Sequence, residues 1–285
     1  MPDVVMSAKE NLNVAVFQSA LANASVEDKL RGIDQALAGD GARADILICP
    51  ELFMSGYGAG ESLAERAEPF GGEFAKHVGD IARRHKASIV YGYPEAFDGA
   101  IYNSAVAVGK DGSLLANHRK MVMPTGYEKQ WFQRGDELTI FDVDGWKVGL
   151  IICYELEFPE IVRACSVRGA DLVVVPTALT HEWDLVSRQM VPARAFENGI
   201  YLAYANHSGN DGDIVYLGES CIVGPDGRDL ARAGRGEGVI GAMLDATAFA
   251  AARSRLAYLT DSEALVSLRD TGVATHPDRS LAPPK

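Results

Sequence analysis

Residues 147–160, KVGLIICYELEFPE, constrain the fold more than any other stretch of this chain. The first half is a short aliphatic and β-branched run of the kind that forms a buried strand. Pro159, followed by Ile161, Val162, Ala164 and Cys165 at helical spacing, predicts a helix that opens at the proline. A buried strand that passes within a few residues into a helix is the unit of α/β architecture.

The rest of the chain repeats that unit. Leu12–Gln18 predicts a strand. Residues 26–37 predict a helix with Val26, Leu30, Ile33 and Leu37 on one face and Gly39 at its end, and residues 44–49 a strand closed by Pro50. Gly56, Gly58 and Gly60 mark residues 52–60 as a loop over the strand ends. A helix over 74–86 sets Phe74, Val78, Ile81 and Ala82 on one side, and a strand over 88–93 follows. Strands over 102–108 and 114–118 flank the turn Gly109-Lys110-Asp111-Gly112. Residues 121–137 read as an irregular functional loop.

Beyond Cys153 and its helix, a cap at Arg168-Gly169-Ala170 and a strand over 172–175 closed by Pro176 are expected. A helix over 183–198, kinked or broken at Pro192, and a strand over 200–205 come next. Residues 218–223 and Gly238–Leu244 are expected to flank the turn Pro225-Asp226-Gly227. No linker or repeat divides the sequence. Residues 1–260 therefore read as a single domain, and residues 261–285, which lose periodicity and end in prolines, as a C-terminal arm or tail.

At 285 residues and 47% hydrophobic, the chain is ample for a large core. No apolar run approaches the roughly 18 residues of a membrane span. Residues 1–13 are mixed and acidic, unlike a signal peptide, so the expectation is a soluble cytoplasmic protein. A formal net charge of −12 argues against nucleic acid or an anionic membrane as partner. Cys49, Cys153, Cys165 and Cys221 have no CxxC spacing and the six histidines no ligand spacing, which argues against a disulfide framework and against a metal.

Three chemically active residues fall just past predicted strands: Glu51, Lys120 and Cys153. Strand ends line the ligand crevice in open α/β sheets. A thiol, a carboxylate and an ammonium brought together there can carry out acyl transfer, with Cys153 attacking a carbonyl, Glu51 moving the proton and Lys120 stabilising the oxyanion. The helix start after Cys153 is expected to lower the thiol pKa. Each residue also has a plain role: free cysteines are mostly core residues, an acid near a helix start serves its dipole, and lone lysines are mostly surface.

Taken together, Cys49-Pro50-Glu51-Leu52-Phe53, His118-Arg119-Lys120 and Cys153-Tyr154-Glu155-Leu156-Glu157-Phe158-Pro159-Glu160 resemble, in order and rough spacing, the three signature motifs of the nitrilase superfamily of carbon–nitrogen hydrolases. The resemblance implies a four-layer α-β-β-α sandwich, with two sheets face to face and helices outside. It implies assembly as a homodimer or larger homo-oligomer through the helix after the nucleophile. It also implies a catalytic Glu51, Lys120 and Cys153 working without a cofactor, and residues 127–136 match the local pattern in which a second glutamate, here Glu128, holds the lysine and orients substrate.

Tyr154 resembles amidases rather than nitrilases proper, which generally carry tryptophan after the cysteine. Where many relatives have aspartate and then arginine, this chain has Glu155 and Glu157, a charge reversal set against substrates with a nearby carboxylate. Residues 177–183 and 205–209 are implied to line the site. Candidates for oxyanion and substrate binding are Tyr154, Glu157, Tyr57, Thr177 and His181.

The resulting expectation is a thiol amidase that converts a small aliphatic amide, ω-amino or amino-acid-like, to carboxylic acid and ammonia through a cysteine thioester. An N-carbamoyl amine or amino-acid amidohydrolase would use the same machinery with a different pocket. A nitrilase-like domain that binds without turnover is the reading from another class. His181 also fits a general base, His207 a loop hydrogen-bonder, and Trp131 and Trp183 either packing residues or pocket walls. Glu155 and Glu157 fit either an acidic pocket or ion pairs with Arg163 or Arg168.

Overall fold

The computed structural model describes residues 9–262 apart from 125 and 256. The tail expected from residue 261 therefore lies, from 263 on, outside the described residues, as do residues 1–8 of the start. In chain order the strands are Leu12–Gln18 (β1), Ile46–Ile48 (β2), Ser88–Phe97 (β3), Ala100–Val108 (β4), Leu114–Arg119 (β5), Thr139–Val143 (β6), Trp146–Leu150 (β7), Leu172–Pro176 (β8), Tyr201–Ala205 (β9), Asn210–Asp211 (β10), Ile214–Val215 (β11), Cys221–Val223 (β12), Asp229–Arg232 (β13) and Gly238–Leu244 (β14). The helices are Val26–Ala38 (α1), Leu63–Arg66 (α2), Glu73–His85 (α3), Tyr127–Trp131 (α4), Pro159–Val167 (α5), Val191–Asn198 (α6) and Ala246–Arg255 (α7).

β1 shows how the layers arise from the period of two along a strand. Val14 and Val16 enter the core shared with Leu150 and Val174 of the opposite sheet. Their neighbours Ala15 and Phe17 point the other way, into a second core with Ile33 and Leu37 of α1 and Phe74 and Val78 of α3. One sheet runs β14-β1-β2-β3-β4-β5 and the other β13-β12-β9-β8-β7-β6. α5 and α6 cover the second sheet through Val162, Cys165, Val191 and Ala195. The architecture is the expected α-β-β-α sandwich. No helix among the described residues is long and apolar enough to cross a membrane.

Local chemistry sets the element ends. The Ser25 hydroxyl accepts the Asp28 N–H to start α1, and Pro159 occupies the first turn of α5, where no N–H is needed. The hairpin expected at Gly109–Gly112 is present, with Gly112 N–H donating to the Gly109 carbonyl. Elsewhere the expectations need correcting. Gly238–Leu244 does not pair across the turn at 225–227 but runs antiparallel to β1, Leu12 opposite Leu244. The strand across that turn is β13, whose half-exposed Asp-Leu-Ala-Arg sequence carries little strand signal.

β6 and its hairpin with β7 lie where no strand pairing is expected, although Asp144-Gly145, both at positive φ, is a strong two-residue hairpin signal. The loop over 121–137 holds the short helix α4. The helix expected over 183–198 begins as a 3-10 turn at His181–Trp183, widens to a π-helical turn at Val186–Met190, and becomes α-helical at α6 with Pro192 in its first turn.

Candidate active site

Glu51 follows the end of β2 and is held from three sides. Its N–H donates to the Thr177 carbonyl at 3.3 Å, and its carbonyl accepts from His207 Nε2 at 2.8 Å. Because a carbonyl only accepts, that nitrogen carries the ring proton. Gly92 of β3 passes directly behind: a Cβ there would stand 2.3 Å from the Leu52 nitrogen and 2.8 Å from Glu51 Cα, so only glycine fits. Burial pushes the His207 pKa down to about 4, which keeps the ring neutral.

Lys120 follows β5, and its N–H donates to the Asn103 carbonyl of β4 at 2.9 Å. Its Nζ lies 2.7 Å from Glu51 Oε1 and 2.7 Å from Glu128 Oε1. Asn103 Nδ2 donates to Glu51 Oε1 at 2.7 Å and to Glu128 Oε2 at 3.3 Å, and Tyr57 donates its hydroxyl to Glu128 at 2.8 Å. Lys120, Glu51, Glu128 and Asn103 are all buried. Burial opposes the lysine charge, but the two carboxylates more than offset it and raise the Lys120 pKa. Burial raises Glu51, with Lys120 working against the shift and Glu128 adding to it. Among the described residues Glu51 Oε2 is buried with no hydrogen-bond partner.

Cys153 opens a 3-10 turn, Cys153–Glu157, with φ of +48°, a left-handed conformation that costs a non-glycine residue about 1 to 3 kcal/mol. Glu155 clamps the bend. Its carboxylate, itself buried, accepts from Ile152 N at 2.6 Å, Met121 N at 2.7 Å and His118 Nε2 at 2.9 Å. Glu155 is therefore not a pocket charge, and its partner is His118 rather than Arg163 or Arg168. The expected lowering of the thiol pKa is also reversed: burial and the Glu51 charge push Cys153 well up, against the pull of Lys120. A thiol shifted in that direction needs a base to take its proton if it is to act as a nucleophile.

A cavity of about 480 Å³ opens over these groups, lined among others by Cys153, Tyr57, Glu128, Tyr154, Glu157 and Trp183. Two of the expected substrate contacts do not line it. Thr177 is buried beneath, with its hydroxyl on the Val175 carbonyl and its own carbonyl under Glu51. His181 is exposed and turns a ring nitrogen to the Val215 carbonyl at 3.3 Å. Asn206 instead fixes the wall, since it accepts the Leu179 N–H at 2.7 Å and donates to the Leu179 carbonyl at 3.1 Å. Asn103 and Gly92 were missed by sequence reasoning, although an amide in an apolar strand and a glycine in a strand interior are both signals of a special contact.

Residues 13–254 match the carbon–nitrogen hydrolase family. The chain is 38% identical over 259 residues, 90% of each chain, to a Pseudomonas protegens protein described as "Hydrolase in pqqF 5'region". It is 35% identical over 242 residues, 85% of each chain, to an (R)-stereoselective amidase of a Pseudomonas species. Among solved structures, an amidase from a Nesterenkonia species superposes with a TM-score of 0.81 at 31% identity, over 93% of this chain and 98% of that one. The chain belongs to the carbon–nitrogen hydrolases, on the amidase branch of the nitrilase superfamily.

Proposed function

We propose that this protein is a cofactor-free thiol amidase that hydrolyses a small aliphatic amide to a carboxylic acid and ammonia. Glu51 takes the Cys153 proton as the sulfur attacks the amide carbon, and Lys120 Nζ stabilises the negative oxygen of the tetrahedral intermediate. The first N–H groups of the 3-10 turn, which have no partner within the turn, add to that stabilisation. Glu51 returns the proton to the departing nitrogen, which leaves as ammonia and leaves a Cys153 thioester. A water deprotonated by Glu51 then attacks the thioester, and the acid departs as the thiol regains its proton. Glu128 and Asn103 hold Lys120 and Glu51 in register.

The observation that carries this reading is the lysine shared at 2.7 Å by two buried carboxylates beneath a cavity that Cys153 lines. The raised thiol pKa supports a separate base, and the unpartnered Glu51 oxygen supports Glu51 in that role. The Nesterenkonia amidase has been solved in complex with butyramide, which supports a short aliphatic acyl group here. The ω-amino or amino-acid-like part of the reading depends on Glu157. Residues 1–260 as one domain, a homo-oligomeric assembly and a cytoplasmic location belong to the same proposal. Ammonia release from short aliphatic amides tests it, and an intact protein that releases none would refute it.

A further inference from the structure

We infer that Glu157 determines specificity: its carboxylate receives an ammonium group on the acyl chain of the substrate, so that the cavity selects cationic amides over neutral and anionic ones. This rests on the amidase reading of the same cavity and adds to it the substrate charge and the residue that reads it. Glu157 lines the cavity and is half-buried, yet among the described residues its carboxylate has no hydrogen-bond partner. The other glutamates around the nucleophile are engaged, Glu51 and Glu128 by Lys120 and Glu155 by His118 and two backbone N–H groups. A partly desolvated carboxylate without a hydrogen-bond or ion-pair partner is an acceptor left for a ligand cation.

The nearby cations do not fill that place. Lys120 is taken by two carboxylates, and the Arg194 guanidinium directs three of its five N–H groups to the Leu156 and Glu157 carbonyls and the Glu197 carboxylate, so that both cations act on the Glu157 carboxylate only at a distance. With both carboxylates ionised, the Glu51, Lys120 and Glu128 group carries a net negative charge before Glu157 is added. Tyr57, Tyr154 and Trp183 on the walls present aromatic surface, which favours a cation and covers an alkyl chain. Four residue steps separate Cys153 from Glu157 in the 3-10 turn, a backbone rise of about 8 Å, which is the scale of a short methylene chain.

The test compares kcat/KM, read by ammonia release, for 5-aminopentanamide, pentanamide and glutaramic acid, with Glu157→Gln and Glu157→Lys beside the wild type. The wild type is expected to favour the ammonium compound over pentanamide at least tenfold, less so as salt rises. That ratio should fall to about one in Glu157→Gln, and Glu157→Lys should favour the acid. A wild-type ratio near one, or a ratio that survives Glu157→Gln, overturns the inference while leaving the amidase intact. Binding of the same compounds to Cys153→Ala, measured by calorimetry, reads the ammonium preference without chemistry. Preference in binding with no turnover of any amide by the wild type would refute the amidase reading alone, and equal binding of all three compounds would refute the role of Glu157.

Discussion

On the floor of the cavity Lys120 Nζ lies 2.7 Å from Glu51 and 2.7 Å from Glu128, and all three are buried. On the rim Trp183 is 61% exposed, and the Glu157 carboxylate has no hydrogen-bond partner among the described residues. Every floor group restrains another, through Asn103, Tyr57 and the carbonyl that His207 holds. The rim residues restrain little besides what enters. On the proposed reading the floor governs whether the reaction proceeds, and the rim governs on what. A change below should cost kcat, and stability as well where it strands a buried charge, and a change above should cost selectivity.

The largest effect is expected for Cys153→Ala, which should abolish turnover and leave the fold intact, as assayed by ammonia release and thermal melting. Lys120→Ala and Glu51→Gln should each lower kcat at least about a hundredfold. Lys120→Ala should also cost about 3 to 5 kcal/mol of stability in denaturant titration, because it strands two buried carboxylates. If either variant raised KM alone, the floor would be a binding surface and its contrast with the rim would fail.

A pH profile sharpens the same contrast. Glu51, the proposed base, can take a proton only when ionised, and burial raises its pKa. As pH falls through that raised value the base is protonated, so the acid limb of kcat should lie above the ordinary carboxylate range. Glu128 contributes to the upward shift, so Glu128→Gln should move the limb to lower pH, and an unmoved limb would detach Glu128 from the base. Glu155→Gln should cost about 1 to 3 kcal/mol of stability, since an amide cannot accept from all three donors. The smallest effect is expected at Trp183→Ala, with stability changed by no more than about 0.5 kcal/mol and only KM altered, because the ring is largely solvated.

The two regions were unequally legible in the sequence. β1, α1, α3, the Gly109–Gly112 turn and the Pro159 helix start were readable because each is a local pattern of period, cap or turn. The grouping of Glu51, Lys120, Cys153 and Glu128 was legible because the motifs around them resemble those of a known family. What the sequence did not reveal depends on contacts between distant segments. Glu155 and Glu157 look alike two residues apart, yet one meets His118 from β5 and the other faces the cavity. Thr177 and His181 flank the residues that line the cavity, and the direction taken by each side chain decides its role. The thiol pKa was misjudged because the sequence displays a helix start but not the burial around it. β14 was assigned to the wrong partner because nothing local distinguishes a return to β1 from a hairpin.

The most direct test of the floor as a nucleophilic centre is rapid-quench intact-protein mass spectrometry during turnover of pentanamide. A covalent increment equal to the amide less ammonia, mapped to Cys153 and absent from Cys153→Ala, is the predicted result. Steady ammonia release with no acyl group on Cys153, or turnover retained in Cys153→Ala, would contradict it.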